Sequence, residues 1–185
     1  MFETNTFKMQ QNFSLSGNYQ GAGAPPEVSQ AVSLYNRISL KGQLSRLWER
    51  LSGSSLRLLT LVEIEKSLKV HNRHFAGIQS VLIRQIRGTE GRSEDFDAGF
   101  SSLNERSKSR WLSIATARKL GTRMPPVELI QVGEIYFVRD GHHRISVALA
   151  FGEEAIDAEV TVWETASPLP WEKSVTSGSL QTLAA

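Results

Sequence analysis

The sequence predicts an α/β fold of the α+β kind: a small mixed sheet flanked by helices and preceded by a helical extension. Three observations carry that expectation. Apolar residues recur three to five positions apart over the front third of the chain, which is the period of an amphipathic helix. After Pro125-Pro126 come two short apolar runs separated by Gly133-Glu134, the pattern of a β-hairpin. Helix-period and strand-period segments then alternate as far as Trp163, as they do where helices cover a sheet. At 185 residues the chain has room for one ordinary globular core with flanks.

Residues 1–26 are rich in Asn, Gln, Ser and Gly and hold few bulky side chains, too few to offset the entropy of ordering; they are expected to form a disordered tail. From Glu27, the positions Val28, Val32, Tyr35, Leu40, Leu44, Leu47 and Leu51 form one helix face, with Arg37, Lys41, Arg46 and Arg50 mostly between them. Gly53-Ser54-Ser55 interrupts the pattern, and Leu58, Leu59, Val62, Ile64 and Leu68 resume it between Leu56 and Val70. Residues 27–76 are therefore expected as a helical extension built as a hairpin of helices.

The compact domain is expected over residues 77–164. Ile78 to Ile83 is a short run rich in β-branched residues, suited to a buried or edge strand. Arg87 to Asp97 places two glycines, two arginines and four acids in eleven residues, a highly charged loop. Ser101 or Ser102 is expected to cap a helix that runs to about Leu120 and turns Leu103, Trp111, Leu112, Ile114 and Ala115 inward. Val127 to Val132 is expected as an alternating strand, and Ile135 to Val138 as its hairpin partner. His142 to Phe151 is a short helix with Ile145, Ala148 and Leu149 on one face, ended by Gly152. Ala155 to Val162 alternates as a final strand, and residues 165–185 are expected as a loose tail.

Composition narrows the function classes. The chain has no cysteine, which excludes disulfide scaffolds, thiolate metal sites and cysteine nucleophiles. No apolar run approaches the ~18 residues of a membrane span, and the first residues lack a secretory pattern, so a cytoplasmic protein without membrane partners is expected. The net charge is only +2, yet through Arg87 there are 11 basic residues against 5 acidic, and beyond it 10 against 14. The basic front helices are the expected surface for a DNA or protein partner.

The densest chemistry lies at Asp140-Gly141-His142-His143-Arg144. A strand hands over to a helix there, and the unpaired N–H groups and positive dipole end of a helix bind anions. Gly141 lets a phosphate approach the backbone, Arg144 supplies a forked donor, and a histidine donates to phosphate or shuttles a proton. Asp140 is suited to orient an imidazole, hold magnesium or accept a substrate proton. His71 and His74 are three apart with no third ligand nearby in sequence, and are expected as a pair at a helix end. Trp48, Trp111 and Trp163 are too widely separated for a base-stacking platform, so core packing or a lid is expected of them.

The order and spacing of Pro126 to Leu129, Gly133 to Ala148, Gly152 and Ile156 to Val160 resemble the core of the ParB and sulfiredoxin superfamily. The resemblance spans roughly Ile78 to Trp163. Gly141 to Arg144 resembles the Gly-Glu-Arg-Arg box with which ParB clamps bind CTP, and Arg92 with Phe96-Asp97 resembles their first box. Sulfiredoxins carry a cysteine where this chain has His142, which excludes their sulfinic acid chemistry. A helix-turn-helix reader after Trp163, as in ParB, is not expected. Asp140 to Arg144 is similar, letter for letter, to the box of archaeal ADP-dependent free-serine kinases, whose catalytic acid corresponds most nearly to Glu90, with Glu94 as neighbour.

The resemblance implies a nucleotide pocket for CTP, ATP or ADP, with magnesium, gripped by Arg92, Gly141, His142, His143 and Arg144. The expected function is a nucleotide-dependent switch or DNA-associated regulator. The alternative is a small-molecule phosphotransferase or nucleotide hydrolase with Glu90, Asp140 and His142 as catalytic groups.

Overall fold

Helix α1 (Pro26–Ser52) begins where proline favours it, at Pro26, and the Pro25 carbonyl accepts the N–H groups of Val28 and Ser29. The computed structural model describes residues 25–52, 57–66, 68–102, 107–166, 169 and 171. The expected tail before Pro25, the Gly53-Ser54-Ser55 break, Leu103 and nearly all of the carboxy-terminal tail lie outside them. So do the side chains of Lys41, Arg46, Trp48 and Arg50.

Six strands form one sheet in the order β1 (Leu59–Thr60), β3 (Ile86–Thr89), β5 (Ile135–Asp140), β4 (Val127–Val132), β6 (Ala155–Thr165), β2 (Val70–Leu82). The β1–β3, β3–β5 and β4–β6 pairs are parallel, while β4–β5 and β2–β6 are antiparallel. Helices α2 (Leu61–Glu65), α3 (Lys108–Lys119) and α4 (His142–Ala150) complete the fold. It is a mixed α/β architecture, a six-stranded sheet flanked by helices.

Both faces of the sheet are covered. Val127, Leu129, Val138 and Val160 join Ile145 and Ala148 of α4 in one cluster, together with Phe96 and Phe100. Ile130, Val132, Phe137 and Trp163 form the other with Leu61 and Leu68. Strand β4 therefore departs from strict alternation: Leu129 and Ile130 are adjacent and both buried, because the two clusters cover opposite faces of the strand there. Each such side chain contributes roughly 1.5–3 kcal/mol by leaving water.

The segment 57–76 departs most from expectation. Only Leu61–Glu65 is helical, Leu59–Thr60 joins the sheet, and Val70 already opens β2. Periodicity cannot see that β6 offers an open edge, and the long pairing from Val70 to Leu82 overrides local preference. His71 and His74 consequently sit on a strand, each 3.4 Å from Glu164, and no group of three potential metal ligands occurs among the described residues. Arg87, Gly88 and Thr89, expected in a loop, belong to β3. Gly88 fits there because a Cβ would lie 2.3 Å from the Phe137 ring.

Three smaller differences have local causes. Asp97 Oδ1 accepts the N–H groups of Gly99 and Ser101 at 2.9 and 2.8 Å, which holds residues 97–101 in a loop, and α3 starts only at Lys108. Leu149 of α4 is exposed, whereas Ile145 and Ala148 are buried. In the expected loose tail, Leu169 is buried and Trp171 packs its ring 5.9 Å from Phe137. Trp111 and Trp163 are core residues, as expected. No helix among the described residues is long and apolar enough to cross a membrane.

Candidate functional site

The parallel pairing of β3 with β5 decides where the site forms. Thr89 is in register with Val138, and Glu90 N–H donates to the Val138 carbonyl at 2.9 Å. The carboxyl ends of both strands thus reach the same sheet edge, which brings the first charged loop against Asp140 to Arg144. Such edges are where open α/β sheets bind ligands.

Gly141 makes the junction possible. It has φ +105°, and a Cβ there would lie 2.5 Å from Val127 Cγ1, so any side chain would clash as well as strain the backbone. Helix α4 follows at once, and no side chain caps it. Gly141 O accepts Ile145 N–H at 3.0 Å, which leaves the N–H groups of His142, His143 and Arg144 outside the helical ladder. Their partial positive charge, with the helix dipole, favours an anion.

A cavity of about 20 Å³ lies beside this terminus, lined by Arg92, Arg110, Asp140, Gly141, His142, His143 and Arg144, with Ile114. That is room for about one water, too little to enclose a phosphate. Arg92 and Arg110 are exposed there, and neither forms an ion pair among the described residues. Structure thus brings together the expected Arg92, Gly141, His142, His143 and Arg144.

Both histidines are buried, at 3% and 6% exposure. The Phe96 ring stacks on His142 with centroids 5.2 Å apart and meets His143 edge-on at 5.0 Å. Burial, reinforced by Arg92, lowers His142 to about 4 against a smaller opposing pull from Asp140. Burial, then Arg110 and Arg92, lowers His143 to about 4 against Asp95 and Asp140. Both imidazoles are therefore neutral at pH 7. His143 Nδ1 is buried without a hydrogen-bond partner.

The remaining expected roles differ from the geometry. Arg144 is not an open fork: Nη1 donates to the Pro125 carbonyl at 2.9 Å and to that of Pro126, and Nη2 donates to Asp140 at 2.7 Å. Burial pulls its pKa down and Asp140 opposes that pull, while three of its five donors hold the fold together. Asp140 is correspondingly engaged with Arg144 rather than hydrogen-bonded to an imidazole, and Glu128 stands opposite it on β4. Glu90 lies outside the lining residues and accepts from Arg139 Nε at 3.0 Å. Glu94 is exposed and also outside the lining. Phe96 supplies the aromatic support and Asp97 shapes the following turn.

Two residues of the site were not anticipated. Arg110 enters from α3, and Thr89 lies beneath His142, with Oγ1 2.8 Å from Nε2. Arg110 precedes Trp111 on a helix whose packing face is set by residues distant in sequence. Thr89 carried a signal only to a reader who had already placed β3 beside β5.

Fold and site together define a class: a mixed-sheet α/β protein with a small cavity, lined by arginines and histidines, at the amino terminus of a helix that follows a sheet strand. No protein-family model matches the chain, and no curated protein matches it. Among solved structures, it is similar to sulfiredoxin from Arabidopsis thaliana, with 20% identity over 45% of this chain and 82% of that one and a TM-score of 0.32.

Proposed function

We propose that this chain binds phosphate groups of a nucleotide in the manner of the ParB and sulfiredoxin superfamily, as a nucleotide-dependent switch or DNA-associated regulator. One observation carries the proposal: the uncapped terminus of α4 stands between two buried, neutral imidazoles and the exposed guanidinium groups of Arg92 and Arg110. Backbone N–H groups and free arginines form a complementary surface for phosphate oxygens. CTP, ATP and ADP are the candidate ligands. Asp140 is the one carboxylate among the lining residues and is already paired with Arg144, so magnesium would arrive on the nucleotide phosphates rather than in a protein cage.

The phosphotransferase alternative has less support, because Glu90 is paired with Arg139 and lies outside the pocket. The partner surface of the proposed regulator is α1, where Arg37 is exposed.

A thermal-shift series with CTP, ATP, ADP and GTP in magnesium tests the proposal. At least one nucleotide should raise the melting temperature, since a ligand specific to the folded state stabilises it. The double variant Arg92→Ala/Arg110→Ala should lose that shift while melting within a few degrees of wild type. No shift with any nucleotide refutes the proposal. Duplex DNA titrated into the same samples at rising salt should show affinity falling steeply if the partner is DNA.

A further inference from the structure

We infer that Thr89 is the positioning residue of this pocket: its hydroxyl fixes His142 as the Nδ1–H tautomer and ties that imidazole to the loop carrying Arg92. The argument is a count of protons. A hydroxyl has one hydrogen and two lone pairs. The N–H groups of Gly91 and Arg92 point at Thr89 Oγ1 from 3.3 and 3.1 Å and occupy the lone pairs. Two acceptors compete for the hydrogen: His142 Nε2 at 2.8 Å and the Val138 carbonyl at 3.4 Å. The nearer one takes it. A proton on Nε2 would instead be the third donor aimed at two lone pairs.

Nε2 is therefore bare, and the ring hydrogen rests on Nδ1. Thr89 is fully buried and His142 nearly so, so bulk water does not exchange into either bond. Phe96, stacked at 25° to the imidazole, holds the ring plane. One oxygen thereby sets both the start of the 91–95 loop and the protonation site of a pocket imidazole. The consequence for ligand binding rests on the proposed anion site: a ring that lines the pocket keeps a donor, not an acceptor, as its second nitrogen. The tautomer itself is independent of any ligand.

The test uses the full chain labelled with ¹⁵N at histidine. In long-range ¹H–¹⁵N spectra at pH 7.5, His142 is assigned by its loss in His142→Gln. Nε2 should resonate as an unprotonated ring nitrogen and Nδ1 as a protonated one. Thr89→Ser should preserve that pattern, and Thr89→Val should move it toward Nε2–H while the His71 and His74 signals stay in place. Protonated Nε2 in wild type, or an unchanged pattern in Thr89→Val, overturns the inference. Should Thr89→Val fail to fold, loss of the pattern in Thr89→Ser overturns it and retention supports it. Orthophosphate titration runs alongside. Thr89→Ser should bind within about twofold of wild type and Thr89→Val about tenfold more weakly, the scale of one lost hydrogen bond. Equal affinity of Thr89→Val and wild type overturns the positioning role. Failure of wild type to bind orthophosphate removes the anion site and leaves the tautomer to the spectra.

Discussion

Arg144 occupies the place where the sequence suggests a phosphate fork, yet its guanidinium joins three parts of the fold. It links the Pro125-Pro126 entry to β4 with Asp140 at the end of β5, from the first turn of α4. Removing it leaves two carbonyls and a carboxylate without their donor, and such losses add to roughly 2–4 kcal/mol. Arg144→Ala should lower the urea midpoint accordingly, and Arg144→Lys should recover little, since an ammonium cannot reproduce a planar fork. A midpoint unchanged in Arg144→Ala would show that the clasp is not structural. Sequence already pointed to this residue as important; the identity of its partners was illegible, because Pro125 and Pro126 meet it only after β4 and β5 pair.

At the scale of elements, α1 outruns its support. It has 27 residues, about 40 Å, and α3 has 12, about 18 Å. Ala31 is buried with Trp111, Ala115 and Val147, and Leu34, Tyr35 and Ile38 pack against them. Farther along, Leu40, Leu44, Leu47 and Leu51 are 55–76% exposed among the described residues. Apolar periodicity correctly indicated a helix there, but burial of its whole face did not follow. Trp111, whose Nε1 donates to Ser146 Oγ at 3.0 Å, ties α3 to α4. Trp111→Ala should cost about 3–5 kcal/mol, whereas Leu44→Gln should stay within about 0.5 kcal/mol. Chemical denaturation of the two variants checks the contrast, and a large loss in Leu44→Gln would mean that the stripe is covered.

For the whole molecule, the two pocket histidines link folding to pH. Each is held near 4 in the folded chain against an ordinary 6.5. Between those values the unfolded chain binds more protons, so stability is full above about pH 6.5 and falls as the pH drops toward 4. Each imidazole alone contributes a slope of up to about 1.4 kcal/mol per pH unit in that window. Unfolding free energies measured from pH 7.5 to 4 should show the decline, and His142→Gln/His143→Gln should flatten it. An equal decline in both proteins would place its origin elsewhere.

The hairpin, the strand-to-helix junction at Gly141 and the final strand were determined by the sequence itself. Glycines, prolines and short-range apolar periods encode such elements locally. The same local signals misassigned residues 57–76, since the first half of β2 is a strand only because β6 presents an edge to it, whereas its second half, from Ile78, was legible in the sequence. Tertiary structure alone decided which charged groups are free. Asp140 and Glu90 were bound by arginines, while Arg92 and Arg110 stayed open, and Thr89 came to rest beneath His142. Those pairings depend on β3 lying parallel to β5, a contact across some fifty residues that no local pattern reports.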